Sequence, residues 1–130
     1  MIRLLMTLLA LSLCGCASSL RYTSIVTAAP DEARAHESPT RSVALKDRVI
    51  VVTHVSWDEA RDAGPHAIRW NWYEGETLIA ERAKTLDFTK PPYRFSRSLP
   101  ASDLGVGRYR VEVLVDGSRV DEQTFDVVAN

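Results

Sequence analysis

Hydrophobic and polar positions fall into three regimes along the chain. From Leu4 to Leu13 nearly every residue is apolar, with only Thr7 and Ser12 interrupting. From Thr27 to Ser42, TAAPDEARAHESPTRS, no aliphatic side chain is larger than Ala. There Pro30, Pro39 and mixed charges mark a loop or tether. From Val43 onward, short apolar or alternating runs recur between turn signals at the spacing of a β-sandwich. DRVIVVTHV (47–55) is β-branched and apolar on both faces, which predicts a central strand. HAIRWNWYE (66–74) alternates, with Ile68, Trp70 and Trp72 on one side and Arg69, Asn71 and Tyr73 on the other. Glu74-Gly75-Glu76 then turns the chain into TLIAERA (77–83). Its residues also suit a helix, but its shortness and the hairpin signal before it favour a strand.

Pro91-Pro92 breaks the chain before a strand near 93–99. The strongest local signal is GRYRVEVLVDGSRVDEQTFDVV (107–128). Tyr109, Val111, Val113 and Val115 share a face, Asp116-Gly117 predicts a type I′ turn, and the last strand turns Phe125 and Val127 inward. RYTSIVT (21–27) is rich in β-branched residues, and a strand there would shorten the tether. Residues 43–128 resemble a bacterial immunoglobulin-like or fibronectin-type-III-like domain. The resemblance rests on strand-borne Trp70 and Trp72 and on LGVGRYRVEV before the final hairpin. It implies an all-β fold, an antiparallel immunoglobulin-like sandwich of about seven strands after a signal peptide and tether. It also implies a tyrosine corner at Tyr109, with Val111 where antibody domains carry their second cysteine.

Composition narrows the class. At 130 residues the chain holds one domain, and 45% hydrophobic with 25% charged residues is ordinary for a globular protein. A net charge of -1, with no basic cluster, offers no footprint for nucleic acid.

The first segment reads as a targeting signal. Arg3 supplies a positive n-region, and the ten apolar-rich residues after it are too few for a permanent span, which needs roughly twenty. A buried helix is the alternative, but polar residues follow at once. Leu13-Cys14-Gly15-Cys16 resembles the lipobox of bacterial lipoproteins. That resemblance implies a signal peptide over 1–15, cleavage before Cys16, and lipid on Cys16. Ala17, standing where Asp would favour inner-membrane retention, implies the outer membrane. The domain organisation expected is signal peptide 1–15, lipidated N-terminus and tether 16–42, and β-sandwich 43–130. A C-x-C metal clip lacks neighbouring His, Asp or Glu ligands, and cleavage before Cys16 would discard Cys14 as a disulfide partner.

The sequence holds no Gly-x-Ser-x-Gly elbow, His-Glu-x-x-His pair or phosphate-cradling glycine loop. Of His36, His54 and His66, only His54 is expected to be partly buried, as a structural residue. The loop SWDEARDAGPH (56–66) carries Asp58, Glu59, Asp62 and His66. It lacks the calcium-loop order, and Arg61 stands among them, so a solvated connection is expected. Trp70 and Trp72 share the parity of Ile68 and belong to the core. Trp57 and Tyr73 are the better candidates for exposed aromatic contacts, although Trp57 could fold back on the core. Arg94, Arg108, Arg110 and Arg119 alternate with Glu112, Asp121 and Glu122, for which cross-strand pairing is the duller and better account.

The expectation is a non-enzymatic, outer-membrane lipoprotein facing the periplasm, which binds another envelope protein and needs neither cofactor nor metal. Candidate contacts are Trp57, Tyr73, Arg108 and Arg110. The alternative is a lipoprotein binding a carbohydrate or small molecule.

Overall fold

The computed structural model describes residues 18–130; the expected signal peptide (1–15), Cys14 and Cys16 lie outside them. Among the described residues eight strands form two sheets: β1 (Arg21–Ala29), β2 (Ser42–Ala44), β3 (Arg48–Ser56), β4 (Gly64–Glu74), β5 (Thr77–Phe88), β6 (Tyr93–Pro100), β7 (Gly107–Val115) and β8 (Ser118–Val128). One sheet has the order β1-β3-β6, the other β2-β8-β7-β4-β5. All ladders are antiparallel except β2 with β8, where Val43 lies beside Val127. The eighth strand is β2, three residues long and too short to leave a periodic signal.

The core follows the alternation. Ile68, Trp70 and Trp72 of β4 meet Val111, Val113 and Val115 of β7, Phe125 and Val127 of β8, and Val49, Val51 and Val55 of β3 across the sandwich. Trp70 meets Phe95 edge-on at 6.1 Å, and Trp72 meets Phe125 edge-on at 6.0 Å, a favoured geometry for aromatic pairs. β3 is the central strand expected: Val49 and Val51 face the other sheet, while Ile50 and Val52 are buried on the outer face.

What covers that outer face is residues 30–41. Ala35 packs on Ile50, Val52, Ile25 and Ala29. Glu37 takes Arg94 Nε and sits 2.8 Å from His54 Nε2, Thr27 Oγ1 donates to the His36 carbonyl at 2.8 Å, and Thr40 N donates to Val26 O at 2.8 Å. With β1 paired along its whole length to β3, the sandwich starts at Arg21 rather than at residue 43. The strap-forming residues are polar and small, so nothing in their pattern marks them as docked.

Two turns orient the rest. Asp116 (φ 51°) and Gly117 (φ 85°) make the I′ turn of the β7–β8 hairpin. The Asp116 carboxylate also accepts from Ala67 N at 2.9 Å, tying this turn to β4. Tyr109 forms the corner implied by the resemblance: its hydroxyl reaches the carbonyls of Leu104 and Gly105, the latter at 2.9 Å.

Candidate functional site

The end of the sandwich where the chain emerges is built around Ser19. Its amide and hydroxyl both donate to Asp62 Oδ2, at 2.9 and 2.5 Å. The same hydroxyl accepts from Asp58 N at 3.0 Å and Glu59 N at 3.1 Å. Arg21 grips the Asp58 carboxylate with both terminal nitrogens, at 2.8 and 3.3 Å. The loop expected to be solvated is therefore a receptor for the chain's own N-terminal segment, and Asp62 in it is buried. The hydrogen bond from the Ser19 hydroxyl, then that from its amide, hold the Asp62 carboxyl below the usual range.

His66, not His54, is the most enclosed histidine, its side chain 11% exposed against 44%. It stacks on Phe88 at 4.3 Å, and Phe88 stacks on Trp57 at 5.7 Å. Nδ1 faces the Asp116 carboxylate at 2.6 Å and Nε2 the Asp62 carbonyl at 2.7 Å. Both ring nitrogens are therefore engaged, which fixes the orientation of the ring. The carboxylate that sequence could not place beside a histidine comes from fifty residues away.

The carboxylates of this end and of the strap share a direction. Asp58 is lowered by its hydrogen bond from Arg21, and Glu37 by hydrogen bonds from Arg94 and then His54. Burial opposes ionisation of Asp116, but hydrogen bonds from His66 and Ala67 outweigh it. A depressed folded-state pKa adds stability above the unfolded value, near pH 4, and that stability is lost as pH falls through the folded value. The urea midpoint is therefore expected to drop below about pH 4, and Asp62→Asn should flatten part of the drop. A midpoint that stays level down to about pH 2.5 would show these contacts contribute nothing.

The candidate contact residues separate into three environments. Trp57 is buried, 7% exposed, because the chain turns inward after β3 and lays the indole on Phe88; an exposed role for it is corrected. Tyr73 and Arg110 lie directly opposite on β4 and β7, and the guanidinium sits 4.2 Å over the ring. The hydrogen bond to Glu112 pushes the Tyr73 phenol up. Arg110 also reaches Glu122 at 3.4 Å, and Arg119 bonds the same carboxylate at 2.9 Å. Glu112 and Glu122 face each other across the ladder, so these arginines neutralise a repulsive pair. Arg108 is exposed and pairs with Asp126, its cross-strand neighbour, at 3.0 Å. Cross-strand pairing is what the structure shows for Arg108, Arg110 and Arg119; Cys16 lies outside the described residues.

Periodicity did not point to the feature that most invites a partner, the asymmetry of the sandwich's sides. On one side the β1 edge is closed: Asp121 Oδ2 accepts from Ser24 N at 2.9 Å, and Gln123 Nε2 donates to Ser24 O at 3.1 Å. On the other side β5 ends its sheet with no strand beyond it among the described residues. Near the tip of its hairpin, Leu78 and Ile79 are 45% and 41% exposed. A cleft of about 310 Å³ separates β5 from β6, lined by Lys84, Leu86, Tyr93, Phe95 and Trp70 among others.

No family model and no curated relative matches this chain. Solved structures do match in shape. An immunoglobulin-like protein from Pseudomonas aeruginosa superposes with a TM-score of 0.57 at 11% identity, over 88% of this chain and 100% of that one. A β-glucosidase from Listeria innocua gives 0.58 at 13% identity, over 85% of this chain but only 16% of the enzyme. An alkylpurine DNA glycosylase from Pseudomonas fluorescens gives 0.53 at 14%, over 88% of this chain and 32% of that one. At these identities the likeness concerns shape alone. The fold of this chain is an immunoglobulin-like β-sandwich.

Proposed function

We propose that this chain is a non-enzymatic, protein-binding module, anchored to the outer membrane by lipid on Cys16 and facing the periplasm, and that its partner is another envelope protein. The lipobox-like Leu13-Cys14-Gly15-Cys16 supports the anchor. Acyl chains contribute about 0.8 kcal/mol per buried CH₂, and two or more chains hold stably.

The single observation that carries the binding role is the free edge of β5. An extended segment added there would pair with the open N–H and C=O groups of the strand. The edge is guarded unevenly. Glu81, Arg82, Lys84 and Asp87 occupy the half toward β6, as charges on edge strands commonly do to block unwanted pairing. The half toward the hairpin, Thr77 to Ala80, carries no charge and exposes Leu78 and Ile79. The partner segment is accordingly an extended one with apolar side chains. The carbohydrate or small-molecule alternative draws no support from the tryptophans, since Trp57, Trp70 and Trp72 are all buried.

One experiment with two arms tests the reading. Cys16→Ala is expected to abolish lipid labelling and release the protein from membranes; unchanged membrane retention overturns the anchor. A photo-cross-linking residue at Leu78 or Ile79 is expected to trap one envelope protein, while the same probe at exposed Thr124 on β8 traps none. Equal adducts at both positions overturn the β5 edge.

A further inference from the structure

From the place where the folded domain begins, we infer that this sandwich rests directly on the phospholipid headgroup layer through the end that holds Ser19, and is not displayed on a tether. The inference rests on the reading of Cys16 as the lipid-bearing residue. Ser19 is locked by four hydrogen bonds into the loop after β3. Only Ala17 and Ser18 separate it from Cys16. Fully extended, three residue steps span no more than about 11 Å, which leaves only a few ångströms beyond a headgroup layer of roughly 5–8 Å. The residues that could have supplied a longer leash, 30–41, follow β1 and are strapped across the sheet.

Register decides which surfaces meet the membrane. Arg21 pairs with Ser56, Gly64 with Phe88, and Val55 with Tyr93, so the loops 57–63 and 89–92 lie at the Ser19 end. Val115 pairs with Ser118 and Ile68 with Val115, which brings the Asp116-Gly117 turn to the same end. These loops, with Arg21 at the start of β1, carry both signs of charge, Arg21, Arg61 and Lys90 against Asp58, Glu59, Asp62 and Asp116, a near-balanced mixture that suits a headgroup layer rich in zwitterionic lipid. The Glu74-Gly75-Glu76 tip is at the opposite end of the eleven-residue β4. At roughly 3.3 Å per residue that places it about 35 Å further out. The uncharged stretch of β5 is thereby presented away from the membrane.

The test uses the processed, lipidated protein in vesicles of phosphatidylethanolamine and phosphatidylglycerol. With Cys14 removed and Cys16 acylated, an introduced cysteine is the sole free thiol for a fluorophore. Glu59→Cys and Lys90→Cys probe the near end, and Glu76→Cys the far end. Headgroup-attached quenchers are expected to quench the first two several-fold more than the third. Equal quenching at all three, with the protein floating on the vesicles, overturns this inference while leaving the anchor intact. Protein that does not float overturns the anchor and this inference with it. Inserting about ten Gly/Ser residues after Ala17 lengthens the leash by about 17 Å without touching the folded domain. It is expected to remove most of the near-end quenching while flotation is unchanged; undiminished quenching would show that the leash does not set the contact.

Discussion

Replacing Trp72 with alanine is expected to lower the unfolding free energy by about 3–5 kcal/mol, roughly a fifth or more of what a domain of this size possesses. Trp72 is fully buried near the C-terminal end of β4, edge-on to Phe125 and beside Val111. Truncation there removes the largest kind of side chain from a position closed on every side, so a cavity remains. Trp70→Ala is expected to cost less, because Trp70 lines the cleft between β5 and β6, where neighbours and solvent can close in. The indole nitrogens of both residues lack a hydrogen-bond partner among the described residues. A buried unpaired donor costs about 1–3 kcal/mol. Trp72→Phe loses apolar contact but also removes that donor, and the two effects oppose each other. The order Trp72→Ala, Trp70→Ala, Trp72→Phe, from largest loss to smallest, is checked by urea denaturation midpoints at constant slope. A Trp72→Phe variant as unstable as the alanine variant would contradict it.

Tyr109→Phe is the second large effect, about 1–3 kcal/mol. The ring would stay, packed on Phe125 at 5.8 Å, but the carbonyls of Leu104 and Gly105 would lose their shared donor. Those carbonyls shape the connection from β6 to β7, where Gly105 stands at φ 85°. The corner also constrains Gly107, since a Cβ there would lie 3.3 Å from the Tyr109 hydroxyl. Gly107→Ala should therefore be costly in the native background and cheaper beside Tyr109→Phe. A double-mutant cycle measures this, and strict additivity would show that the hydroxyl does not set the spacing.

How much of this was legible in the chain depends on the kind of interaction. β4, β7 and β8 were readable because a half-buried strand writes its inner face at every second residue, and Ile68, Trp70, Trp72, Val111 and Phe125 do so. β3 announced itself as central because both its faces are covered. The Tyr109 corner was also readable, from a tyrosine at the start of a penultimate strand. Trp57 was harder to place, because it lies just past a strand end, where alternation no longer says which way a side chain points. His66 was missed for a different reason. Its partners, Asp116 and Phe88, are brought by other strands, and their sequence positions are related to it only by register.

The strap and the Ser19 clasp fall in the same class. Ala35, Glu37 and Ser19 are small or polar and would look the same in a free linker. Their docking depends on Arg94, His54 and Asp62, which they meet only after the sheets have assembled. The amino-acid sequence by itself determined the all-β class, the strand faces and the tight Asp116-Gly117 turn, because each is written in residues adjacent or two apart. Only the tertiary structure decided where the domain begins, which side stays open at β5, and which carboxylate meets which base. Those outcomes depend on contacts between residues well separated along the chain, from 17 for Glu37 with His54 to 57 for Glu37 with Arg94, and local pattern holds no record of such distances.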